Sequence, residues 1–253
     1  MFLRSFHHTA TAVTPPPITS AHNERLADVR RLQRRRGRDL AGRFVAEGED
    51  LLAAADTAGW PALARFCTTG SGLAGDEVEA DLLARASTLG SGTRTLAVYA
   101  QRWSMPTGPL CVYLHGVGDP GNVGAVLRSA LAFGAGSVVL GPGCADPYGP
   151  KAVRASMGAV FAMPLARGGP DGLPGETVAL VAGGGDVLRG PSPAGGVTLV
   201  IGAERDGLPA DVVAACDRVA HIPIGSESLN AAMAATVALY EMTRSPPSRI
   251  PAP

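Results

Sequence analysis

The sequence has almost no lysine, few aromatic residues and no closely spaced cysteines. Lys151 is the only lysine among 22 basic residues, and aromatic residues make up 5% of the 253 positions. No two cysteines stand at the C-x-x-C spacing of a zinc site or a redox motif, so we predict reduced thiols and no metal site. The four cysteines are Cys67, Cys111, Cys144 and Cys216.

Long apolar runs are missing as well. No stretch approaches the roughly 20 uncharged apolar residues that a membrane-spanning helix needs. Residues 1–13 lack both the apolar core and the small-residue cleavage pattern of a signal peptide. The 22 basic residues balance 22 acidic ones, so the net charge does not indicate an acidic partner. We therefore expect a cytoplasmic protein that does not bind a membrane.

Composition divides the chain into four segments. A flexible leader covers residues 1–17, a segment with an arginine-rich helix 18–104, a segment of alternating strands and helices 108–245, and a disordered, proline-rich tail 246–253. The alternation predicts an α/β fold with a mostly parallel sheet covered on both faces. In the third segment, the predicted strands are 110–114, 137–140, 160–165, 178–182, 197–201 and 219–224, and the predicted helices are 122–133 and 229–242.

A glycine-rich loop follows the first of these strands. Its pattern G-x-G-x-x-G at 116–121 stands between a predicted strand and a predicted helix, as a nicotinamide-dinucleotide site requires. Pro120 removes an N–H from that loop. The second strand ends at Leu140, without the acidic residue that would bind the ribose of the dinucleotide. These two features argue against a dinucleotide-dependent oxidoreductase.

The helix after this loop carries one unexpected charge. Asn122 is suited to cap its N-terminus, and Arg128 lies in the apolar segment but off the apolar stripe. A charge removed from water needs a partner, so Arg128 is either half of a structural ion pair or part of a functional site. The stripe predicted to be buried is Val123, Val126, Leu127, Ala130 and Leu131.

Two more loops of this kind follow apolar strands nearer the C-terminus. Residues 201–209 read IGAERDGLP, and residues 222–230 read IPIGSESLN. Ligands bind at the carboxyl ends of strands in open α/β sheets. With DPGNVG at 119–124 and KAVRASMGA at 151–159, these loops resemble, in this order, the SpoU (TrmH-like) family of SPOUT methyltransferases. The resemblance covers about residues 108–245.

The resemblance implies both a fold and an activity. The fold is a C-terminal SPOUT-type parallel sheet with a deep trefoil knot, in a homodimer with the cofactor in the knot. The activity is S-adenosylmethionine-dependent methylation of a ribose 2′-hydroxyl in RNA, with Glu204 pairing with Arg128. The implied catalytic residues are Arg128, Asn122, Glu204, Ser228 and Asn230. The implied cofactor-binding residues are Gly202, Gly207, Leu208, Ile222 and Leu229.

The segment 18–104 resembles the substrate-recognition domain of the same family, a small α/β module similar to a ribosomal protein. The matching features are ITS at 18–20, Asn23, the arginine-rich helix and FVAEG at 44–48. The resemblance implies that this segment binds RNA, whereas an arginine-rich helix is otherwise often a solvated face. The arginines expected to bind RNA are Arg30, Arg31, Arg34, Arg35 and Arg38, together with Arg154 in the other segment.

The chain also departs from the family pattern. Its third loop is two residues shorter, and AAMA at 231–234 replaces a stretch rich in valine and serine, which affects the roles expected there. Ribosomal RNA is the favoured substrate, and transfer RNA is the alternative. A catalytically silent RNA-binding homologue would have lost Asn122, Arg128 or Asn230, and the chain retains all three.

Overall fold

The computed structural model describes residues 16–90, 92–190 and 194–244. Residues 1–15 of the predicted leader and the whole predicted tail lie outside these ranges. In the N-terminal part the elements are α1 (Glu24–Leu32), α2 (Arg35–Ala41), β1 (Arg43–Glu47), α3 (Glu49–Thr57), β2 (Ala64–Thr68), β3 (Asp76–Val78), α4 (Ala80–Ala86) and β4 (Thr95–Ala100). In the C-terminal part they are β5 (Leu110–Leu114), α5 (Pro120–Ala132), β6 (Ser137–Leu140), α6 (Pro150–Ala155), α7 (Ala159–Ala162), β7 (Leu165–Arg167), β8 (Glu176–Val181), β9 (Asp186–Val187), β10 (Val197–Ile201), α8 (Ala210–Ala214), β11 (Arg218–His221) and α9 (Ala231–Thr243).

The N-terminal part forms a four-stranded sheet in the order β1-β4-β2-β3. Strand β4 runs antiparallel to both of its neighbours, whereas β2 and β3 are parallel. Helix α1 begins where the Asn23 side chain accepts a hydrogen bond from the amide of Arg25, at 3.0 Å. Leu26, Val29 and Leu32 recur at helical spacing and are buried, so this helix presents an apolar face to the core of this part.

The motif FVAEG at 44–48 has a structural role here. The carboxylate of Glu47, at the end of β1, is buried. It accepts hydrogen bonds from the hydroxyl of Ser87 at 2.5 Å, the amide of Thr88 at 3.1 Å and the side chain of Gln33 at 2.9 Å. A buried carboxylate needs such donors, and this one joins β1 to the loop that follows α4.

The C-terminal part forms a seven-stranded sheet in the order β7-β6-β5-β10-β8-β11-β9, with every pair parallel. The bounds predicted for 110–114, 137–140 and 197–201 match β5, β6 and β10. The prediction of a strand over 160–165 is wrong, because Gly158 at φ +90° starts the short helix α7 and β7 begins only at Leu165. Val160 and Phe161 are nevertheless buried, in a helical turn.

Helix α5 begins two residues earlier than predicted. Asp119 caps its N-terminus, with Pro120 in the first turn. Four of the five predicted stripe residues are buried, but Leu131 is 41% exposed, so the buried stripe is narrower than expected. Arg128 is exposed as well. A side chain at Gly124 would lie 2.4 Å from the carbonyl oxygen of Ala152, so α5 packs closely against α6.

The two sheets share one hydrophobic core. Phe44 of β1 packs on Tyr148, with ring centroids 4.6 Å apart, and Phe161 lies against both Phe44 and Trp60. The indole N–H of Trp60 donates to the carbonyl oxygen of Phe161 at 2.7 Å. Aromatic residues, although rare in the chain, are concentrated at this junction and fix the two parts together.

Within the described ranges, no helix is both long and apolar enough to cross a membrane. The four cysteines are unpaired. No three His, Cys, Asp or Glu side chains converge as metal ligands would in the same ranges. Burial raises the pKa of the Cys111 and Cys144 thiols, so both favour the neutral form.

Candidate active site

Three loops meet at the carboxyl edge of the large sheet, after β5, β10 and β11. Between the second and third of them lies a cleft of about 460 Å³. Its walls include all five residues expected to hold the cofactor and two of those expected to act in catalysis. These seven residues are Gly202, Gly207, Leu208, Ile222, Leu229, Glu204 and Ser228.

The cleft also has walls that the sequence analysis did not assign. Residues 180–182, at the end of β8, form one side, and the charged side chains of Arg205, Asp206 and Glu227 lie at the lining. The three charged residues belong to the two loops already singled out. Strand β8 lies beside β10 in the sheet, so the order of the strands would have predicted that the end of β8 borders the cleft.

Glycine is required at position 202 by a close approach of the backbone. A Cβ there would lie 2.3 Å from the carbonyl carbon of Gly207. Ala203 and Gly207 exchange two backbone hydrogen bonds of 3.1 Å, which close the loop on itself, and Gly207 has φ +65°. The second loop is therefore a tight backbone turn at one wall of the cleft.

Asn122 links the first loop to the other two. Its side-chain amide donates a short hydrogen bond to Glu204, and its carbonyl oxygen accepts one from the amide of Asn230 at 3.1 Å. The side-chain oxygen of Asn230 caps α9 by accepting from the amides of Ala232 and Met233. Three predicted catalytic residues are thus joined by hydrogen bonds beside the cleft.

Asp119 and Lys151 form an ion pair beside this network. The Lys151 ammonium lies 2.6 Å from the Asp119 carboxylate. This hydrogen bond, together with one from the amide of Asn122, holds the pKa of Asp119 below its usual value. The single lysine of the chain therefore supports the loop that carries Asn122.

Arg128 stands apart from this network. The expected ion pair between Arg128 and Glu204 is not formed, because Glu204 pairs with Asn122 instead. Arg128 is exposed and has no hydrogen-bond or ion-pair partner among the residues that the structure describes. The interpretation of Arg128 as half of a structural ion pair within this chain is therefore wrong.

The arginines expected to bind RNA divide into two groups. Arg38 is buried, with Nε 2.7 Å from the Asp146 carboxylate and Nη1 donating to the carbonyls of Leu32 and Gln33. The expectation that Arg38 contacts RNA is therefore wrong, since its side chain is buried and paired with Asp146 inside the protein. Arg154 is half-buried and donates to the Thr88 hydroxyl at 2.9 Å.

The other arginines of α1 and α2 are accessible to solvent. Arg30 is half-buried and donates to the carbonyl of Ala21. Arg31 pairs with Asp28, and Arg35 lies 3.7 Å from Asp39. Arg25 is exposed and pairs with Asp76. The other exposed arginines at this surface are Arg31, Arg34, Arg35 and Arg36.

A dinucleotide-binding site would require an acidic residue at the end of the second strand, β6, and the structure offers none there that could bind a ribose. Strand β6 ends at Leu140, and the next acidic residue, Asp146, is buried in its pair with Arg38. Asp146 therefore cannot hold a ribose. Pro120 lies in the first turn of α5, where it leaves one N–H fewer for a pyrophosphate.

A model of the SpoU rRNA Methylase family matches residues 109–240, which are 132 of the 253 positions. The chain therefore belongs to this family. A crystal structure of an AdoMet-bound rRNA methyltransferase from Sinorhizobium meliloti superposes with a TM-score of 0.80 at 29% identity, covering 90% of this chain and 97% of that one. The α/β fold with its parallel sheet is thus that of SpoU methyltransferases.

Two named relatives differ in how much of the chain they match. The Bacillus subtilis protein named 23S rRNA (guanosine(2553)-2'-O)-methyltransferase RlmP is 28% identical over 253 residues, with 89% of this chain and 98% of that protein aligned. The Syntrophobacter fumaroxidans protein named ribosomal RNA small subunit methyltransferase G 2 is 44% identical over 144 residues, 53% of this chain and 27% of that protein. The chain spans only 27% to 51% of the length of the curated relatives that match it at 37–44% identity.

Proposed function

We propose that this protein transfers a methyl group from S-adenosylmethionine to a ribose 2′-hydroxyl of ribosomal RNA. The observation that carries the proposal is the hydrogen-bonded network of Asn122, Glu204 and Asn230 beside the cleft. It joins the three loops that the SpoU resemblance singles out. Membership of the SpoU rRNA Methylase family supports the same activity.

The cleft fits S-adenosylmethionine in size and lining. Its volume of about 460 Å³ is typical of small-molecule sites, which are mostly apolar with a few polar groups. Leu208, Ile222 and Leu229 would pack against the adenine and the methionine chain. The backbone around Gly202 and Gly207, where no Cβ could be placed at Gly202, would approach the ligand closely. The bound cofactor supplies a methyl group activated by its positively charged sulfur.

The residues of the network would position the hydroxyl group for transfer. A ribose 2′-hydroxyl is a poor nucleophile, so alignment with the methyl group and stabilisation of the developing oxyanion lower the barrier. Asn122 and Asn230 can orient the ribose, and Ser228 lies in the lining where the methyl group would pass. Glu204 fixes the side chain of Asn122 through their hydrogen bond.

Arg128 would act by binding phosphate and stabilising negative charge. A guanidinium stays protonated in proteins, so it is not a general base. Because six residues at about 100° each separate Asn122 from Arg128 on α5, the two side chains point about 120° apart. This geometry supports a homodimer in which a second copy brings its own Arg128 to the cleft.

An exposed apolar patch supports the same dimer. Leu131 of α5 and Met233, Val237 and Tyr240 of α9 are all exposed, and the two helices pack against each other. Met233, Val237 and Tyr240 recur at helical spacing on one face of α9, and exposed apolar residues on one face are suited to a protein interface. A second copy with the same patch would cover it in a two-fold contact.

The finer architecture follows from the same resemblance. We assign residues 18–104 to an RNA-recognition domain similar to a ribosomal protein, and residues 108–245 to the methyltransferase domain. The end of β4 at Ala100 and the start of β5 at Leu110 support a boundary between them. The position of β10 between β5 and β8 is compatible with a trefoil knot. The site of action would be the cytoplasm, where ribosomal RNA is found.

Methyl transfer from tritium-labelled S-adenosylmethionine tests the proposal. The acceptors are ribosomal RNA and transfer RNA from a strain that lacks the gene. We expect label in ribosomal RNA, at a position that becomes resistant to alkaline hydrolysis because its 2′-hydroxyl is blocked. Label in transfer RNA would favour the alternative substrate. RNA binding without any transfer would identify a catalytically silent homologue.

A further inference from the structure

A second cleft, which the proposed activity does not use, lies at the junction of the two sheets. It measures about 420 Å³ and is bounded by Arg35 and Asp39 of α2, residues 140–147 after β6, and Arg167 at the end of β7. We call it the junction pocket. Both arginines are exposed, whereas Asp146 in its wall is neutralised by Arg38. Arg35 and Arg167, which belong to no buried ion pair, are therefore the cations available to a ligand at the rim of the pocket.

Arg167 is held in position without being neutralised. Its guanidinium lies over the ring of Trp103, 3.8 Å from the centroid, and Trp103 in turn packs edge-on against Tyr148, with centroids 5.2 Å apart. No carboxylate pairs with Arg167 among the residues that the structure describes. A cation that is already oriented loses less conformational freedom when it binds an anion.

Arg35 is the second cation of the pocket. It lies 3.7 Å from Asp39, and both side chains are largely exposed to solvent. An exposed pair of this kind contributes little energy, so Arg35 can turn to a stronger partner. A phosphate is such a partner, because guanidinium groups bind it through two parallel hydrogen bonds.

The opposite wall of the pocket is made of backbone. Gly143 has φ +75°, and its Cβ, if present, would lie 3.1 Å from Cα of Gly116. Gly143 is exposed, and its amide donates to no described residue. An amide without a protein partner, in the lining that it shares with two arginines, can complete a site for a negatively charged oxygen atom.

The junction pocket and the cofactor cleft lie on the same edge of the sheet. Gly116 donates its amide to the carbonyl of Pro142 at 2.9 Å, and a Cβ at Gly116 would lie 3.5 Å from the Cβ of Ala203. Strand β6 is two strands from β10, about 10 Å at the usual spacing between neighbouring strands. One RNA strand can therefore reach both clefts.

We propose that the junction pocket binds a backbone phosphate of the substrate RNA, close to the nucleotide that is methylated. Arg167 and Arg35 supply the cations, and the amide of Gly143 supplies a neutral donor. The inference rests on the proposed function for the identity of the RNA, but not for the binding itself. Arg35 was expected to bind RNA from the sequence, whereas Arg167, Gly143 and this pocket were not.

The test measures binding of a fluorescein-labelled single-stranded oligouridine to the full chain as salt is varied. The double variant R35Q/R167Q removes one paired and one unpaired exposed arginine. The control R85Q/R94Q does the same away from the pocket, since Arg94 pairs with Glu49 and Arg85 is exposed. We expect the first double variant alone to weaken binding about tenfold and to reduce the salt slope by about 0.7, the value for one phosphate of a single strand.

A charge-keeping variant separates electrostatics from packing. R35K/R167K should retain most of the salt slope, because lysine still neutralises a phosphate. Equal losses in R35Q/R167Q and the R85Q/R94Q control would assign the effect to overall charge and overturn the proposal. Inorganic phosphate that binds the wild type, with RNA binding unchanged in R35Q/R167Q, would mean that the pocket takes a free anion and would also overturn it.

Methyl transfer keeps this inference distinct from the proposed function. On ribosomal RNA, R35Q/R167Q should raise KM about tenfold, with kcat and S-adenosylmethionine affinity unchanged. A wild type that binds the oligouridine through the pocket but transfers no methyl group would remove the proposed function and leave the inference standing. If the wild type methylates ribosomal RNA and KM is unaltered in R35Q/R167Q, the proposed function stands and the inference is overturned.

Discussion

The junction between the two sheets and the region beside the cleft each contain an ion pair, but the two regions hold their charges differently. At the junction, the side chains of Arg38 and Asp146 are each 5% exposed and form a direct ion pair. Beside the cleft, Asp119 and Lys151 pair at the surface. Farther along α5, Arg128 is exposed without a partner among the described residues.

The difference lies in what each set of charges is free to bind. A buried guanidinium that is held in an ion pair is not accessible to a ligand, and it is costly to disturb. An exposed guanidinium contributes little to folding and remains available to a phosphate. Exposure and pairing, rather than the number of arginines in a segment, therefore separate structural from functional charge in this chain.

The largest effect is expected at the junction. Arg38→Met leaves the Asp146 carboxylate buried and unpaired, so the free energy of unfolding should fall by about 3–5 kcal/mol. Chemical denaturation measures the loss, and Tm should fall by about 10 °C. The double variant R38M/D146L should regain part of the loss, because it removes the unpaired charge. A loss below about 1 kcal/mol in Arg38→Met would show that this buried ion pair contributes no more stability than an exposed pair does.

On the exposed side of α5, Arg128→Ala should affect turnover rather than stability. Methyl transfer should fall about a hundredfold or more, the scale for losing one oxyanion-stabilising donor. The free energy of unfolding should change by less than about 0.5 kcal/mol, because the side chain is exposed and unpaired. Arg128→Lys should restore little if two parallel hydrogen bonds are needed. Near-normal turnover of Arg128→Ala would remove Arg128 from the mechanism.

Gly202→Ala tests the cleft through its backbone, since this substitution changes no charge. The new Cβ would meet the carbonyl carbon of Gly207 at 2.3 Å, so the second loop must shift. We expect the affinity for S-adenosylmethionine, measured by calorimetry, to fall about tenfold, or 1.4 kcal/mol. Gly225→Ala is the matched control, since a Cβ there meets nothing within 4 Å. Equal affinities in the two variants would contradict a cofactor site at Gly202.

The smallest effect is expected at the exposed pair of Asp119 and Lys151. The pKa of Asp119 is lowered in the folded protein, so its contribution to stability is present above the unfolded pKa of about 3.9 and is lost as the pH falls through the folded value. Because the pair is exposed, the contribution should be below about 0.5 kcal/mol. In an NMR titration, Lys151→Gln should raise the pKa of Asp119. An unchanged pKa would show that Lys151 does not cause the shift.

The sequence predicted the central strands of the large sheet well and one flanking segment badly. Strands β5, β6 and β10 are buried along their whole length, and an apolar run bounded by turn residues is typical of such strands. The apolar run at 160–165 has the same composition. Periodicity cannot distinguish a short buried strand from a turn of buried helix. In the structure, Gly158 with its positive φ stands at the N-terminus of the helix α7.

The candidate site was predictable in its loops but not in its pairings. The order of the three loops, together with the family resemblance, pointed to the residues that line the cleft. The partner of Asn122 is 82 residues away in the sequence, and the partner of Arg38 is 108 residues away. No local pattern encodes such pairs, so Glu204 was assigned to Arg128 and Arg38 to the RNA surface.

The shared core at the junction has a consequence for how a target could be chosen. Phe44 packs against Tyr148 and Phe161, and Trp60 packs against Phe161, so aromatic rings join the two sheets. This packing ties the exposed arginines of α1 and α2 to the large sheet that carries the cleft. Under the proposed function, the spacing between these arginines and the cleft would select the methylated nucleotide. That nucleotide would be the one that reaches the cleft when the arginines bind another part of the same RNA.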